Sequence, residues 1–267
     1  MEIDKTWLFV PAKEKYMRRL LSIRADHLIL DLEDSLTGEQ KEPGLELVYE
    51  ACRKYGGQRS IYVRVNSEEG MERELNRLSA CPVSGFMLPK FEDVSVLERL
   101  RESLDGKQVI ALVESVRGIV RLEETAAHPL VNVLAFGGED FCRELGYGAG
   151  EEAALFAKSK LVLYAAYHGK TSLDTVSFEI RDMEKFLLSY KKSRRMGFSG
   201  KLLIHPAQAQ AVCAYCGEEE RKRLRHIVEV FRESGEGLVE IDGSWYEKPH
   251  IKKIEAYLQG LEGEDLS

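Results

Sequence analysis

Val109-Ile110-Ala111-Leu112-Val113 is an apolar run of strand length that stops on Glu114, and Val131-Asn132-Val133-Leu134-Ala135-Phe136 is a second that stops on Gly137-Gly138-Glu139-Asp140. Between them Gly118 to Ala127 has helical content and Pro129 breaks it. Two consecutive strand, loop and helix units therefore each place a carboxylate just beyond the C-terminal end of a buried strand. In parallel α/β proteins that edge is where ligands bind. Carboxylates from adjacent strands can share one hard cation. Gly137 and Gly138 are expected to let backbone amides approach an anionic ligand without obstruction by a Cβ.

The same unit recurs outward in both directions. Trp7-Leu8-Phe9-Val10, stopped by Pro11, His27 to Leu32, Ser60 to Val65 and Gly85 to Leu88 read as four earlier strands. Helical stretches separate them: Lys13 to Ile23, Glu39 to Lys54 and Met71 to Ala80, with Asp93 to Ser103 following the fourth strand. After Asp140 come an amphipathic helix from Glu151 to His168, a weak seventh strand near Asp174-Thr175-Val176, a helix from Ile180 to Met196 and an eighth strand at Lys201 to Ile204. Repeats of about 25 residues suit βα units. Continuous rather than alternating apolar strands point to a parallel sheet covered on both faces. Without a glycine-rich dinucleotide loop or Walker loop after the first strand, an open doubly wound sheet is disfavoured. The expected fold is an α/β, (β/α)8 TIM barrel over residues 1–214. Residues 215–267 form a C-terminal helix-hairpin-helix appendage for capping and oligomerisation, with a hairpin turning on Asp242-Gly243 and a last helix from Pro249 to Leu261.

Composition narrows the function classes. Of 267 residues, 44% are hydrophobic and 31% charged, which is ordinary for a globular protein. A net charge of −7 gives no basic footprint for nucleic acid. No apolar run approaches a membrane span, and Met1-Glu2-Ile3-Asp4-Lys5 does not open a signal peptide, so the cytoplasm is the expected compartment. Five cysteines without a regular framework read as reduced thiols, and Cys213-Ala214-Tyr215-Cys216 has no second pair to complete a zinc site.

Several polar residues from six strand ends collect at one rim: Glu33, Asp34, Arg64, Asn66, Lys90, Glu114, Asp140 and His205. Glu114 and Asp140 suit Mg²⁺, which keeps waters and substrate oxygens beside one or two carboxylates. Their alternative is a pair of solvated acids or ion pairs to Arg64 and Lys90. Arg64 interrupts an apolar strand, and its planar fork suits a carboxylate or an enolate oxygen, with a salt bridge to Glu33 as the rival. Lys90 either meets an anion or pairs with a rim acid. Asp31 and Glu33 have both orienting and catalytic readings, with support of the site favoured. His205, before Pro206, reads as a hydrogen-bonded closure residue.

The chain resembles the citrate lyase β-subunit-like branch of the HpcH/HpaI aldolase superfamily. The matching segments run in order through nearly the whole barrel: Leu8-Phe9-Val10-Pro11-Ala12, Leu30-Asp31-Leu32-Glu33-Asp34-Ser35 with Lys41, Val63-Arg64-Val65-Asn66, Leu88-Pro89-Lys90, Val113-Glu114-Ser115 with Gly118, Phe136-Gly137-Gly138-Glu139-Asp140, Gly197-Phe198-Ser199-Gly200-Lys201 and Ile204-His205-Pro206-Ala207-Gln208. The resemblance implies a Mg²⁺-dependent C–C lyase with Glu114 and Asp140 as metal ligands and Arg64 contacting substrate; Lys90, Gly137 and Gly138 are the further substrate contacts expected from their place at the rim. It implies a thioester substrate on coenzyme A or an acyl carrier protein, and a homo-oligomer, a trimer or hexamer. Expected catalytic groups are Arg64, Glu33 and Glu247. In relatives an Asp-x-Pro carboxylate after the barrel reaches a neighbouring subunit's site, and here Glu247 stands in the aspartate's place before Lys248-Pro249. Lys5-Thr6 and Gly44-Leu45 replace the family's Arg-Ser and Ala-Arg, departures that touch the thioester contacts rather than the metal pair. A Schiff-base aldolase through Lys90, a thioester hydrolase or malate-synthase-like condensing enzyme, and a non-catalytic thioester-binding subunit are the competing classes.

Overall fold

The computed structural model describes residues 5–67, 70–146, 150–216 and 218–264. Met1 to Asp4, part of the stretch read against a signal peptide, lie outside the described residues, as do the last three residues of the appendage. Eight parallel strands close into a barrel in sequence order: β1 Lys5–Pro11, β2 His27–Asp31, β3 Ser60–Arg64, β4 Gly85–Leu88, β5 Gln108–Val113, β6 Val131–Phe136, β7 Thr171–Asp174 and β8 Gly200–Leu203. β8 returns to pair with β1, Leu202 opposite Trp7, so the sheet has no edge. This is a (β/α)8 TIM barrel.

Alternation along the strands sets what lies inside. Trp7, Ile29, Tyr62, Met87, Leu112, Ala135, Leu173 and Leu202 pack into one buried cluster within the barrel. Two residues further along the same faces stand Phe9, Asp31, Arg64, Glu114, Gly137, Thr175 and Ile204. The apolar plug thus continues directly into a polar layer at the C-terminal mouth.

β7 lies earlier than the sequence suggests, at Thr171–Asp174 rather than around Asp174-Thr175-Val176. Its outward face carries Ser172 and Asp174, so there is no apolar run to find. Ser172 exchanges hydrogen bonds with Ser199, its amide reaching Ser199 Oγ at 3.3 Å and the Ser199 amide reaching Ser172 Oγ at 3.2 Å. Asp174 is buried between Lys201 Nζ at 2.9 Å and Lys158 Nζ at 3.0 Å. Burial raises its carboxyl, but the two ammonium groups outweigh this and hold it below the ordinary value.

The helices are shorter than their patterns suggest near the N-terminus: Lys13 to Ile23 resolves into a helix at Glu14–Met17 and a 3-10 turn at Leu20–Ser22. The helix Glu151–Tyr167 is not amphipathic as expected. Ala154, Ala157, Leu161 and Ala165 are buried on one side, while Leu155, Phe156, Leu163 and Tyr167 are exposed on the other. The helix is therefore apolar on its exposed side as well as on its buried one.

The chain divides into two compact units, Lys5–Ala209 and the segment from Gln210 onward. The second holds a helix at Glu218–Ser234, a hairpin of β9 Leu238–Ile241 and β10 Ser244–Glu247, and a helix at Lys248–Glu264. Ile227, Phe231, Ile241 and Ile251 form its core. The hairpin turns through positive φ at Asp242 (50°) and Gly243 (74°), the conformation an Asp-Gly pair adopts in a two-residue loop. No described helix is long and apolar enough to cross a membrane.

Candidate active site

A cavity of about 480 Å³ opens at the mouth of the barrel. Its floor and walls include Phe9, Leu112, Phe136, Val176 and Leu202 from the apolar plug and its rim, and the charged groups Asp31, Asp34, Arg64, Glu114, Glu139, Asp140 and Arg143. Five carboxylates face two guanidiniums, so the wall carries an excess of negative charge that a cation would relieve.

Arg64, 8% exposed, is the most constrained of these groups. Its Nε donates to Asp31 Oδ1 at 2.8 Å, while its two terminal nitrogens lie 3.3 Å from Glu33 Oε2 and 3.1 Å from Asp34 Oδ2. The guanidinium stands 4.8 Å from the centre of the Phe9 ring. Burial alone would lower its pKa, but the hydrogen bond and charge of Asp31 hold it further above the ordinary value. Arg64 is a fixed cation.

The loop after β2 is built to hold that cation. Asp31 accepts from the amides of Glu33 and Ser35, both at 3.0 Å, so it orders the turn as well as Arg64. Lys41 donates to the carbonyls of Leu32 and Glu33 and to Asn66 Oδ1, tying the ends of β2 and β3 together. Asn66 in turn rests on the buried Glu74, its amide 2.8 Å from Oε2. Asn66 is therefore a strut rather than a ligand. Glu33 is not among the residues that line the cavity. Its carboxylate partners Arg64 instead, the orienting geometry of the two readings the sequence allows. Burial pushes the Glu33 carboxyl up to about 7, with Arg64 opposing and Asp34 adding to the shift.

Glu114 and Asp140 line the same cavity, as the sequence pattern suggests. Glu114 is 5% exposed, and its Oε1 accepts the Lys90 amide at 2.7 Å. Burial pushes its carboxyl up to about 7. The Lys90 amide opposes this, and the negative charges of Glu33 and Asp140 add to it. Asp140 sits in the first turn of the helix Gly138–Leu145 and pairs with Arg143 one turn on. The donors suit a hard divalent cation: one buried carboxylate and one half-exposed one, with room for waters and substrate oxygens. Among the described residues no group of three or more His, Cys, Asp or Glu is placed to hold a metal ion together.

Two expectations need correction. The Gly137 amide donates to Val113 O at 3.0 Å and the Gly138 amide to Thr175 Oγ1 at 3.0 Å, so neither is directed at an anion. The two glycines serve close approach instead, Gly137 to Glu114 and Gly138 to Thr175. Lys90 lines a separate cavity of about 280 Å³ with Ser67, Met71 and Arg99, and its ammonium lies 3.9 Å from Glu33 Oε1. Its backbone, at φ 47°, is what serves the site, by aiming the amide at Glu114. His205 is hydrogen-bonded locally, its Nδ1 accepting the Ala207 amide at 3.2 Å. Glu247 belongs to the second unit, is exposed at the end of β10, and donates its amide to His250 Nδ1 at 3.3 Å.

Further contributors come from the loop after β7. Thr175 and Phe178 line the cavity, and buried Gln208 secures that loop through the carbonyls of Ser177 (2.8 Å) and Glu179 (3.0 Å). Arg143 was legible as a residue one helical turn from Asp140. Glu74, inside an ordinary surface helix, carries no such signal.

Residues 5–206 match the family model HpcH/HpaI aldolase/citrate lyase. The chain belongs to the HpcH/HpaI aldolase/citrate lyase family. It is 30% identical over 259 residues to a (3S)-malyl-CoA thioesterase of Cereibacter sphaeroides, covering 91% of this chain and 90% of that one. It is 28% identical over 280 residues to the mitochondrial citramalyl-CoA lyase of Homo sapiens, covering 93% and 82%. Among solved structures, the CitE protein of Mycobacterium tuberculosis in complex with magnesium, acetoacetate and coenzyme A is similar at 27% identity and TM-score 0.79, covering 96% of this chain and 97% of that one.

Proposed function

We propose that this member of the family is a Mg²⁺-dependent C–C lyase. It cleaves a 3-hydroxyacyl thioester of citramalyl, malyl or citryl type, on coenzyme A or an acyl carrier protein, to a 2-oxo acid and an acyl thioester. The observation that carries the reading is the pairing of Glu114 and Asp140 on one cavity with the buried Arg64. The magnesium and coenzyme A of the similar CitE structure support it.

Glu114 and Asp140 would hold the cation. Bound there, Mg²⁺ supplies a Lewis acid for the carbonyl oxygen that forms on cleavage and a template for the adjacent carboxylate. The chain's own groups do the rest. Arg64 keeps its charge at every working pH and presents a planar fork whose exposed partner, Asp34, gives way to an incoming carboxylate or enolate oxygen. Phe9, Leu112, Phe136 and Val176 exclude water around the breaking bond. In the cleavage step the hydroxyl proton leaves to a base, the C–C pair moves onto the thioester α-carbon as an enolate, and that carbon then takes up a proton. Asp34 and Glu139 are the cavity acids, besides the proposed metal ligands and the Arg64-bound Asp31, placed to move those protons.

Turnover of citramalyl-, malyl- and citryl-thioesters in Mg²⁺ and in EDTA tests the reading, and equal rates in both would reject it. The thioesterase among the relatives favours a second reading, hydrolysis at the same site. Release of free coenzyme A, rather than an acyl thioester, would select it. Tight thioester binding with neither product would select a binding subunit.

We also propose that the chain self-associates through the outer face of the helix Glu151–Tyr167. Leu155, Phe156, Leu163 and Tyr167 are 50–82% exposed there, beside the 69% exposed Val120, whose carbonyl accepts from Lys160 at 3.2 Å. A fully buried aromatic side chain contributes roughly 150–250 Å², so these five residues supply a large part of the ~800 Å² per partner of a stable interface. A second copy of the same face is the matching partner.

A further inference from the structure

Arg143 is the second guanidinium on the cavity wall, and its circumstances differ from those of Arg64. Arg64 is buried and shared among Asp31, Glu33 and Asp34. Arg143 has a side chain 74% exposed and pairs with Asp140 from the next turn of the same helix. Exposed pairs at this spacing are weak. Asp140 is also the carboxylate that must turn to a divalent cation if Glu114 and Asp140 share one. A dication close to a carboxylate outcompetes a solvated guanidinium for it, so cation binding releases Arg143 beside the bound substrate.

On that basis, and resting on the lyase reading above, we propose that Arg143 exchanges partners when the cation binds. It gives up Asp140 and takes a second carboxylate of the acyl group, so the site prefers acyl groups whose 2-oxo acid product carries two carboxylates over those whose product carries one. The chemistry favours this exchange on both sides. Arginine matches a carboxylate with two parallel N–H donors, a geometry the monodentate contact to Asp140 does not use. Arg64 has room for one incoming carboxylate, by displacement of Asp34, while its Nε stays with Asp31. A second anionic group therefore needs a second fork, and Arg143 is the other guanidinium lining the cavity. Arg143 is a specificity residue that contacts the non-reacting end of the substrate, and in the unliganded protein it competes with the cation for Asp140.

Calorimetric titration of the full chain tests both halves. Wild type, Arg143→Gln and Glu114→Gln are titrated with MgCl2, and then at saturating Mg²⁺ with freshly dissolved oxaloacetate and with pyruvate. Arg143→Gln is expected to bind Mg²⁺ as well as or more tightly than wild type, because the competitor is gone. Wild type is expected to bind oxaloacetate about tenfold or more tightly than pyruvate, as one charge-assisted pair allows. Arg143→Gln should lose that preference while keeping its pyruvate affinity. Weaker Mg²⁺ binding in Arg143→Gln, or an unchanged oxaloacetate preference, would overturn the inference alone. Wild-type Mg²⁺ affinity in Glu114→Gln would instead overturn the reading of the metal pair, and with it the inference. Because Arg143 is exposed on a surface helix, the substitution leaves the fold intact, and circular dichroism of each variant checks this.

Discussion

A Cβ placed on Gly137 would stand 2.4 Å from Cβ of Glu114 and 2.6 Å from its Oε2. The glycine after β6 and the acid after β5 are thus a fitted pair: the absence of a side chain on one strand end lets the carboxylate of its neighbour lie inward over the barrel. Gly137→Ala is expected to push Glu114 off its position. Overpacking of this kind costs about 1–3 kcal/mol, and cation affinity should fall about tenfold or more. Mg²⁺ titration with thermal unfolding of the same variant measures both. Retained affinity would show that Glu114 does not need this position.

Arg64→Lys keeps a positive charge but loses the planar fork that serves Asp31, Glu33 and Asp34 together. Its main defect should be in turnover, with kcat falling about a hundredfold or more, as when one oriented donor to a developing charge is removed, and Mg²⁺ binding kept. Arg64→Ala is a harsher change. It strands buried acids without a partner, and such a loss costs about 3–5 kcal/mol. Steady-state kinetics on the lysine variant and denaturant unfolding of the alanine variant separate the two roles.

Lys90 is one of two non-glycine residues at positive φ among the described residues, and the left-handed backbone there is what aims its amide at Glu114. Such a conformation costs a side-chain-bearing residue about 1–2 kcal/mol. Lys90→Gly should therefore keep stability within about 1 kcal/mol, since the relief is partly offset by glycine's freedom in the unfolded chain. It should also keep Mg²⁺ binding and most of the turnover. A Schiff-base aldolase would instead lose all activity in this variant, and wild type would be trapped on Lys90 by borohydride with a 2-oxo acid. Mass spectrometry of the borohydride-treated protein decides between them.

The barrel was legible because its strands are continuous apolar runs, and each of Arg64, Glu114 and Asp140 breaks or ends one. What the sequence hid is the use of backbone and of second partners. A glycine pair that reads as an anion cradle is a packing device, because the Val113 carbonyl and the Thr175 hydroxyl claim its amides. A lysine that reads as a substrate contact works through its peptide N–H. β7 has no apolar run to mark it, because its outward residues are Ser172 and Asp174, whose partners, Ser199 and Lys201, lie on β8 or just before it. Partnerships between residues distant in sequence leave no local pattern.

Glu33 gives a pH dependence with a defined sign. Its carboxyl is raised from 4.5 to about 7, chiefly by burial. As pH rises between those values the unfolded chain gives up the proton before the folded one does. The folded state binds more protons there, so stability falls with rising pH, by an amount on the order of 3 kcal/mol from this group. Glu33→Gln should lessen, without abolishing, the change in unfolding free energy between pH 5 and pH 8 in EDTA, because Glu114 is also raised to about 7 and adds its own share. A slope as steep as wild type would remove Glu33 as a source. At pH 8 the variant should be the more stable protein, while losing turnover modestly because Arg64 keeps Asp31 and Asp34.

If the apolar face of the helix Glu151–Tyr167 meets a second copy, then Phe156→Glu with Leu163→Glu buries two charges in that contact and should disperse the assembly. Both positions are exposed, at 74% and 69%, so each chain should stay folded. Sedimentation velocity of wild type and of this double variant measures the outcome, and a monomeric wild type would defeat the proposal. Self-association also bears on Glu247, which ends β10 just before Lys248-Pro249 and is proposed to serve a neighbouring copy's site. Its side chain is one methylene longer than the aspartate it stands for. That displaces the carboxylate by more than a bond length, and proton abstraction requires hydrogen-bond reach. Wild type is therefore expected to deprotonate an acetyl-thioester methyl group poorly, and Glu247→Asp to do so about tenfold or more faster. Claisen-type condensation of acetyl-CoA with glyoxylate, followed by mass spectrometry, measures this. Brisk condensation by wild type would show that the longer carboxylate is no impediment. A gain in Glu247→Asp that disappears in the dispersed double variant would place the group on the partner copy.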